Sequence, residues 1–532
     1  MVLADGGDRP KNSPDDSVER VASRYDAVPY SAFPYPKLQP ARMAATAHLL
    51  GLKFPPVETA RTLEIGCATG AHLIPLAQGF PHARFLGLDV SPVQIETARS
   101  RAARLGLANI TFDAKSFTEL KPSDGPFDYI VCHGVYSWIS PDLRRELLRN
   151  CAEYLAPEGI ALISFNVFPG WRMFQIVRDC MLIHAGTTET PESKVARMRS
   201  LADGLEEFTS TETSYGHIWR QEAQRVFKQT DAYLLHELLE EDNAPCTITE
   251  FAQAAASFGM TFLAEANVFA SCIGSSEARV TQFVRSMANG NALEQEQYFD
   301  MVTGRSFRQT LLVHAEHQNE IDRTLSKARL DALHFISPLD LKIVPSQMAN
   351  EWTVDDGAGT TITTTDTSIA GALGVLIGRL PSSTSFEQIR SELGADRAIQ
   401  DKLRNALLHL IREGVIEVSA APVSCANTIG EYPMVWPLAA SDATADLPHT
   451  ATLRHSAYEI SPKARFLMPL ADGTRNLVSL CDRLSAFVIE GGVQISESGV
   501  PITDPRRIRA ICAETVNQQL AAFARAGLLV TG

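Results

Sequence analysis

No stretch of this chain approaches the roughly 18 to 20 consecutive apolar residues that would span a bilayer. Its first residues, MVLADGGDRPKNSPDDSVER, carry neither the basic segment nor the apolar run of a secretory signal, so a soluble, cytoplasmic protein without a membrane partner is expected. Positive charge is scarce as well: 48 Lys and Arg face 62 Asp and Glu, a net charge of -14. Such a balance argues against a phosphate-neutralising surface, and so against nucleic acid, and favours a cationic partner. The nine cysteines form no CxxC pair and no metal-ligand spacing, which predicts reduced, mostly buried thiols and no metal site. A single core is excluded too, because 532 residues divide into about three or four domains at ~150 residues each.

What the chain does have begins at TLEIGCATGAHLIPLA, residues 62–77. A short apolar strand, Thr62 to Ile65, enters a turn of small residues, Gly66-Cys67-Ala68-Thr69-Gly70, and leaves in the helical spacing of Leu73, Leu76 and Ala77. Gly66 and Gly70 permit a tight turn and close approach of backbone to a ligand. About 19 residues further, RFLGLDVS ends a second strand in Asp89, a carboxylate suited to the two hydroxyls of a ribose. A dinucleotide fingerprint would need G-x-G-x-x-G to seat a pyrophosphate. Here Ala68 takes the middle glycine's place, and Glu64, two residues before Gly66, would repel a pyrophosphate but suit an ammonium group.

This E-x-G-x-x-x-G turn with a downstream acid resembles motif I of the class I S-adenosylmethionine (SAM) methyltransferases. The resemblance implies SAM as cofactor, with Glu64 near the methionine amino group, the Gly66, Cys67, Ala68 and Gly70 turn against the ligand, and Asp89 on the ribose. Ser116 falls near the place from which relatives contact the adenine. Further strand candidates, NITFDAKSF, PFDYIVCHGV and GIALISFNVF, alternate with helical stretches, as in a parallel doubly wound sheet that binds its ligand at the carboxyl ends of its strands.

Methyl transfer is an in-line displacement, so the protein must align a nucleophile and exclude water. HGVYSW places His133, Tyr136 and Trp138 after the fourth strand, and FNVFPGW places Asn166 and Trp171 after the fifth. These five are the candidate catalytic residues, against the alternative that each aromatic is core. Upstream, SRYDAVPYSAFPYPKLQP (residues 23–40) interleaves Tyr25, Tyr30, Phe33 and Tyr35 with four prolines. It predicts a non-helical strap, either a lid with Tyr25 and Tyr30 toward the ligand or a staple for the N-terminus; Tyr30 and, after the fourth strand, His133 are also candidates for binding the cofactor.

Together, HGVYSW, SFNVFPGW, YDAVPY and YLLHELLEEDNAP resemble the bacterial methyltransferases with a methyltransferase regulatory domain, among them the rickettsial outer-membrane-protein lysine methyltransferases. Phe165 and Phe168 stand where those relatives carry tyrosine. A neutral lysine amine would be favoured by a dry aromatic slot. Tyr233, His236 and Glu237, with Glu240, Glu241 and Asp242, read as a solvated helix face, the alternative being an acidic rim for a basic substrate.

The last third repeats itself: LLHLIREGVIEV (407–418) aligns with QLAAFARAGLLV (519–530) as helix, glycine cap and strand. Each copy predicts a winged-helix-like unit, and the acidic chain favours protein docking over DNA. The expected fold is α/β: a class I (Rossmann-like) doubly wound methyltransferase domain, a helical domain and two winged-helix-like units. The expected divisions are a disordered 1–17, a strap 18–40, a SAM-binding domain 41–185, a helical regulatory domain 186–310, a middle domain 311–420, a linker 421–453 and a second winged unit 454–532. Three functions are compatible with these features: a protein lysine methyltransferase, a small-molecule N- or O-methyltransferase, or a SAM-sensing regulator. The expected partner is a protein with an accessible lysine, and a homodimer stays open.

Overall fold

The structure, a computed structural model, describes residues 14–30, 32–185, 190–240, 242–273, 277–345, 351–357, 359, 361–497 and 500–531. Most of the expected disordered segment 1–17 lies outside them, and Glu241 does too.

A seven-stranded sheet organises the first 314 residues, in the order β3-β2-β1-β4-β5-β7-β6. Strands β1 (Arg61–Ile65), β2 (Arg84–Asp89), β3 (Ile110–Ala114), β4 (Phe127–Cys132) and β5 (Leu155–Asn166) are parallel, as their alternation with helices predicts. β1 and β4 run through the middle with both faces covered, so they are buried along nearly their whole length, and β4 (FDYIVC) reads as a near-continuous apolar run. Two further strands, β6 (Met260–Glu265) and β7 (Phe307–His314), complete the sheet, with β7 antiparallel to both β5 and β6.

This placement corrects the expected boundary at 185. The helices α6 (Trp171–Ala185), α7 (Pro191–Phe208), α8 (Ser214–Val226), α9 (Asp231–Leu239) and α10 (Ile248–Ala256) are an insertion between β5 and β6. The segment 186–310 is therefore not a separate helical body, because it returns to finish the sheet. β7 enters the core on an unusual anchor. Arg308 is fully buried and bonds Glu265, Glu296 and Asp300 at 2.6, 3.0 and 2.7 Å, so its charge is paired where water cannot reach it.

The strap is corrected as well. Helix α1 (Pro14–Ala27) includes Ser23 to Ala27, since 15–27 contain no proline and the helix ends only at Val28-Pro29. Residues 28–30 and 32–35 are the non-helical part, a 3₁₀ turn (Pro36–Leu38) follows, and the nearly wholly buried α2 (Pro40–Leu49) comes next.

The middle unit sets α13 (Thr367–Gly378), α14 (Phe386–Glu392) and α15 (Arg397–Arg412) against a three-stranded sheet of β8 (His334–Ile336), β12 (Thr384–Ser385) and β13 (Glu417–Ser419). Gly414 closes α15 at φ +70°, and Gly527 closes the last helix, α19 (Pro505–Ala526), at +74°, so both copies of the repeat turn through a left-handed glycine. The strand of the second copy shrinks to one bridge, Leu529 to Val435.

The expected linker 421–453 is largely structured. Trp436 and Leu438 are buried, α16 (Pro437–Thr444) is a helix, and β14 (His449–Ala451) pairs with β15 (Ala457–Glu459). Its small residues pack closely instead of loosening the chain. Trp436, Leu438 and Ala451 share one core with Phe85, Ile95, Ala98 and Phe112 of the sheet domain. Beside that contact, Arg101 of α4 (Pro92–Arg104) binds Asp442 through two bonds, 2.8 and 2.5 Å, in a buried pair.

Candidate active site

A cavity of about 470 Å³ opens at the carboxyl ends of β1, β2, β4 and β5, within the ~300 to 1,000 Å³ usual for ligand sites. β1 ends in Glu64 and Ile65 and turns through Gly66 at φ +77° and Ala68 at +46°. Gly66 could not carry a Cβ, which would lie 2.6 Å from the Val135 Cγ2. Asp89, at the end of β2, accepts the Ala68 N–H on one oxygen and the Ser91 N–H on the other, both at 2.9 Å. The second acid thus holds the glycine turn as well as facing the cavity.

Glu64 is buried, lines the cavity, and leaves Oε2 without a hydrogen-bond partner. Burial, reinforced by the neighbouring Asp89, pushes its carboxyl up to about 8. An uncompensated carboxylate site of this kind calls for a cation.

Glu64, Gly66, Cys67, Ala68, Asp89, Ser116, Tyr30, His133, Asn166, Trp138 and Trp171 all line the same cavity. Two anticipated residues do not. Gly70 has its open side against Phe112, where a Cβ would meet the ring at 2.6 Å, so it serves packing and the turn. Tyr136 corrects the catalytic set. Its buried ring lies 5.2 Å from Phe251 and 6.1 Å from Phe165, inside the core behind the cavity wall. The stretch Tyr136–Trp138 forms a 3₁₀ turn, which sends Trp138 to the cavity and Tyr136 inward. Ser116 is turned partly to other work, capping the next turn by accepting from the Thr118 N–H at 3.2 Å.

On the sheet side, His133 and Asn166 present nitrogens with no partner, Nδ1 and Nδ2. Burial lowers the His133 imidazole to about 4, so it is neutral near pH 7. Trp171 donates its indole N–H to Asn243 at 2.9 Å and meets Trp138 edge to face at 6.2 Å.

The roof is the N-terminal segment. Asp26 accepts the Ser91 hydroxyl at 2.5 Å, tying α1 to the start of α4. Tyr35 approaches His133 at 5.0 Å, and Tyr25 stacks on His236 at 4.2 Å with the rings 7° from parallel. The His236 Nε2–H donates to the Val28 carbonyl at 2.7 Å, and Arg24 pairs with Glu240.

The far wall comes from α8 and α9. Tyr233, His236, Glu237, Glu240 and Asp242 line the cavity, so the solvated-face reading of this helix is overturned, with Glu241 outside the described residues. The Glu237 carboxylate makes no hydrogen bond or ion pair among the described residues, and burial raises it to about 7. Tyr35, Arg225, Phe307 and Gln94 also reach the cavity. Tyr35 was visible in the strap, whereas Phe307 arrives from the start of β7 without any local signal.

A parallel sheet carrying this glycine turn, a buried acid before it and a second acid ending β2 defines a class I SAM-dependent methyltransferase. The comparisons agree: residues 62–159 match the family described as methyltransferase domain, 230–314 a predicted methyltransferase regulatory domain, and 431–528 the C-terminal winged helix domain of PKMT. An uncharacterized protein of Rickettsia prowazekii is 29% identical over 520 residues, covering 95% of this chain and 93% of its own. A second from that organism is 37% identical over 235 residues, 43% of this chain and 93% of that protein. The chain belongs to the family of these rickettsial proteins, the SAM-dependent methyltransferases that join a regulatory domain to a winged-helix unit. The structure of PKMT2 from Rickettsia typhi superposes with a TM-score of 0.82 at 26% identity, over 94% of this chain and all of that one. The same fold has been solved for PKMT2 in complex with AdoHcy, at 24% identity. Among the described residues no helix is long and apolar enough to cross a membrane, and no cluster of metal-ligating side chains occurs.

Proposed function

We propose that this methyltransferase acts on the ε-amine of a lysine in a protein. The observation that carries the reading is the Glu237 carboxylate, which makes no hydrogen bond or ion pair among the described residues and lines the same cavity as Glu64, Asp89, Tyr30, Tyr35, Tyr233, Trp138 and Trp171.

SAM fits the residues at the sheet edge: Glu64 would receive its ammonium, Asp89 its ribose hydroxyls, the Gly66 to Ala68 backbone its approach, and Ser116 its adenine side. When bound, it supplies a methyl group on a positively charged sulfur. Everything else falls to the chain. The aromatic walls exclude water and suit a cation, as rings with a negative face do. A lysine must shed a proton before it can attack, and its ordinary pKa is about 10.4. Glu237 is placed to accept that proton, because burial has brought it near neutrality. His133 is neutral near pH 7, and with Asn166 it offers polar atoms to orient the amine. The match to PKMT2 adds support, as does the acidic chain, which suits a lysine-bearing partner.

The winged-helix units read as protein-presenting modules. In the first, Arg404 is held by Asp331 through two 2.7 Å bonds, so it is not offered to a phosphate. The test is transfer of labelled methyl from SAM into a lysate of the native host lacking this gene. Label recovered as methyl-lysine after protein hydrolysis is the expected result. Label confined to the small-molecule fraction would overturn the lysine reading and leave the methyltransferase intact.

A further inference from the structure

The second winged-helix unit meets the cavity lining through a pair of histidines. His72 lies on the glycine-turn segment GCATGAH and lines the cavity, and it is buried. Its Nδ1 lies 2.7 Å from Nε2 of His455, a buried residue of the second winged-helix unit held at φ +62°. A non-glycine residue in that conformation persists only where its surroundings fix it. Here the surroundings are firm: the Thr452 hydroxyl accepts the Arg454 and Ser456 N–H groups, both at 3.2 Å, and Arg454 donates to the Pro381 and Ser337 carbonyls of the middle unit at 2.6 and 2.5 Å. The turn 452–456 therefore pins three parts of the chain together.

Two imidazoles 2.7 Å apart need one donor and one acceptor. Burial keeps both neutral, with His72 down at about 3 and His455 below its ordinary range. The other nitrogen of His72, Nε2, has no hydrogen-bond partner. The Leu38 carbonyl faces that ring without an ordinary hydrogen bond to it, and a carbonyl there favours a proton on Nε2. His72 Nδ1 is then the acceptor and His455 Nε2–H the donor. His72, a residue of the cavity lining after Glu64, then carries a buried neutral N–H with no close hydrogen-bond partner and only the Leu38 carbonyl beside the ring.

We propose that His72 binds the carboxylate of the methionine moiety of SAM through this N–H, and that His455 of the C-terminal unit is a positioning residue that fixes its tautomer. Glu64 and His72 then divide the zwitterion between them, the acid taking the ammonium and the imidazole taking the carboxylate. The second winged-helix unit becomes part of the donor site, besides any part it has in presenting substrate.

The test compares SAM with decarboxylated S-adenosylmethionine, which keeps the ammonium and lacks the carboxylate, by calorimetry on the full chain. The wild-type protein is expected to prefer SAM. His72→Phe should reduce that preference by about 10- to 100-fold, as for a lost hydrogen bond to a charged group, and His455→Phe should reduce it less. His72→Gln places an N–H near the same point and should keep most of the preference, which covers the case in which the phenylalanine variants fail to fold. An unchanged preference in a folded His72→Phe protein overturns the assignment. Equal weakening of both ligands overturns it too, since that is the mark of packing alone. Binding of neither compound to the wild-type protein would instead strike at the SAM site itself.

Discussion

The Glu64 carboxyl makes SAM affinity depend on pH in a direction that can be worked out. With the cavity free of ligand, burial and Asp89 hold Glu64 at about 8 against an ordinary 4.5. The form that receives an ammonium is the ionised one, so affinity falls as pH drops below about 8, while above it the ligand's own α-ammonium begins to lose its proton. His133 at about 4 and His72 at about 3 stay neutral across this range, and the Tyr25 phenol is pushed up by burial. Burial brings Glu237 to about 7, inside the same window, so the measurement is repeated in Glu237→Gln. One proton must leave per SAM bound, and a tenfold step per pH unit well below the pKa amounts to about a 50-fold loss between pH 8 and pH 6. At pH 7 about 0.9 proton is released, visible as a binding enthalpy that varies with the buffer. Glu64→Gln should abolish the pH slope and bind more weakly than wild type at pH 8. A raised carboxyl also has a stability sign: its contribution is full below about 4.5 and is lost as pH rises through about 8, so the ligand-free protein weakens over that window. A wild-type affinity that changes less than about threefold from pH 8 to pH 6 would refute the reasoning.

Tyr136→Phe should leave SAM affinity and turnover within about twofold, because the ring packs on Phe165 and Phe251 outside the cavity; a tenfold loss of turnover would return Tyr136 to the catalytic set. Glu237→Gln should slow methyl transfer by roughly 10²-fold or more with SAM affinity at pH 8 unchanged, as for a lost proton acceptor, read by single-turnover kinetics beside calorimetry. Asp442→Ala strands Arg101 in the contact between the sheet domain and the C-terminal unit, and should cost about 3 to 5 kcal/mol in urea unfolding. A cost below about 1 kcal/mol would show that the guanidinium regains water.

The donor half of the site was legible because it is local. A strand, a glycine turn and an acid at the next strand end lie within 28 residues, and backbone geometry alone brings Glu64 and Asp89 to one edge. The winged repeat was legible for the same reason, through a helix closed by a left-handed glycine in each copy. The rest of the cavity was not, since its walls come from α1, α8, α9 and the start of β7, elements that meet only in the folded chain. Tyr233, His236 and Glu237 stand at i, i+3 and i+4, so their shared face could be read, but its direction depends on where Tyr25 stacks. β6 and β7 escaped because a run such as TFLAEA is equally a buried helix or strand until its partner is known. Tyr136 was misplaced by a change of period, from strand alternation to a 3₁₀ turn, within three residues.

The question raised by an aromatic strap ahead of the first strand has its answer in what holds the strap down. α1 and residues 28–39 are joined to the sheet side by Asp26 on Ser91 and Tyr35 on His133, and to α9 by Arg24 on Glu240 and Tyr25 on His236. The helix α2 immediately after is buried on nearly every residue. Residues 28–30 and 32–39 therefore connect the covering helix α1 to the buried α2. Tyr25, Tyr30 and Tyr35 line the cavity together with Glu64, Asp89 and Glu237, so one covering segment faces both the donor residues and the far wall and shields both from water.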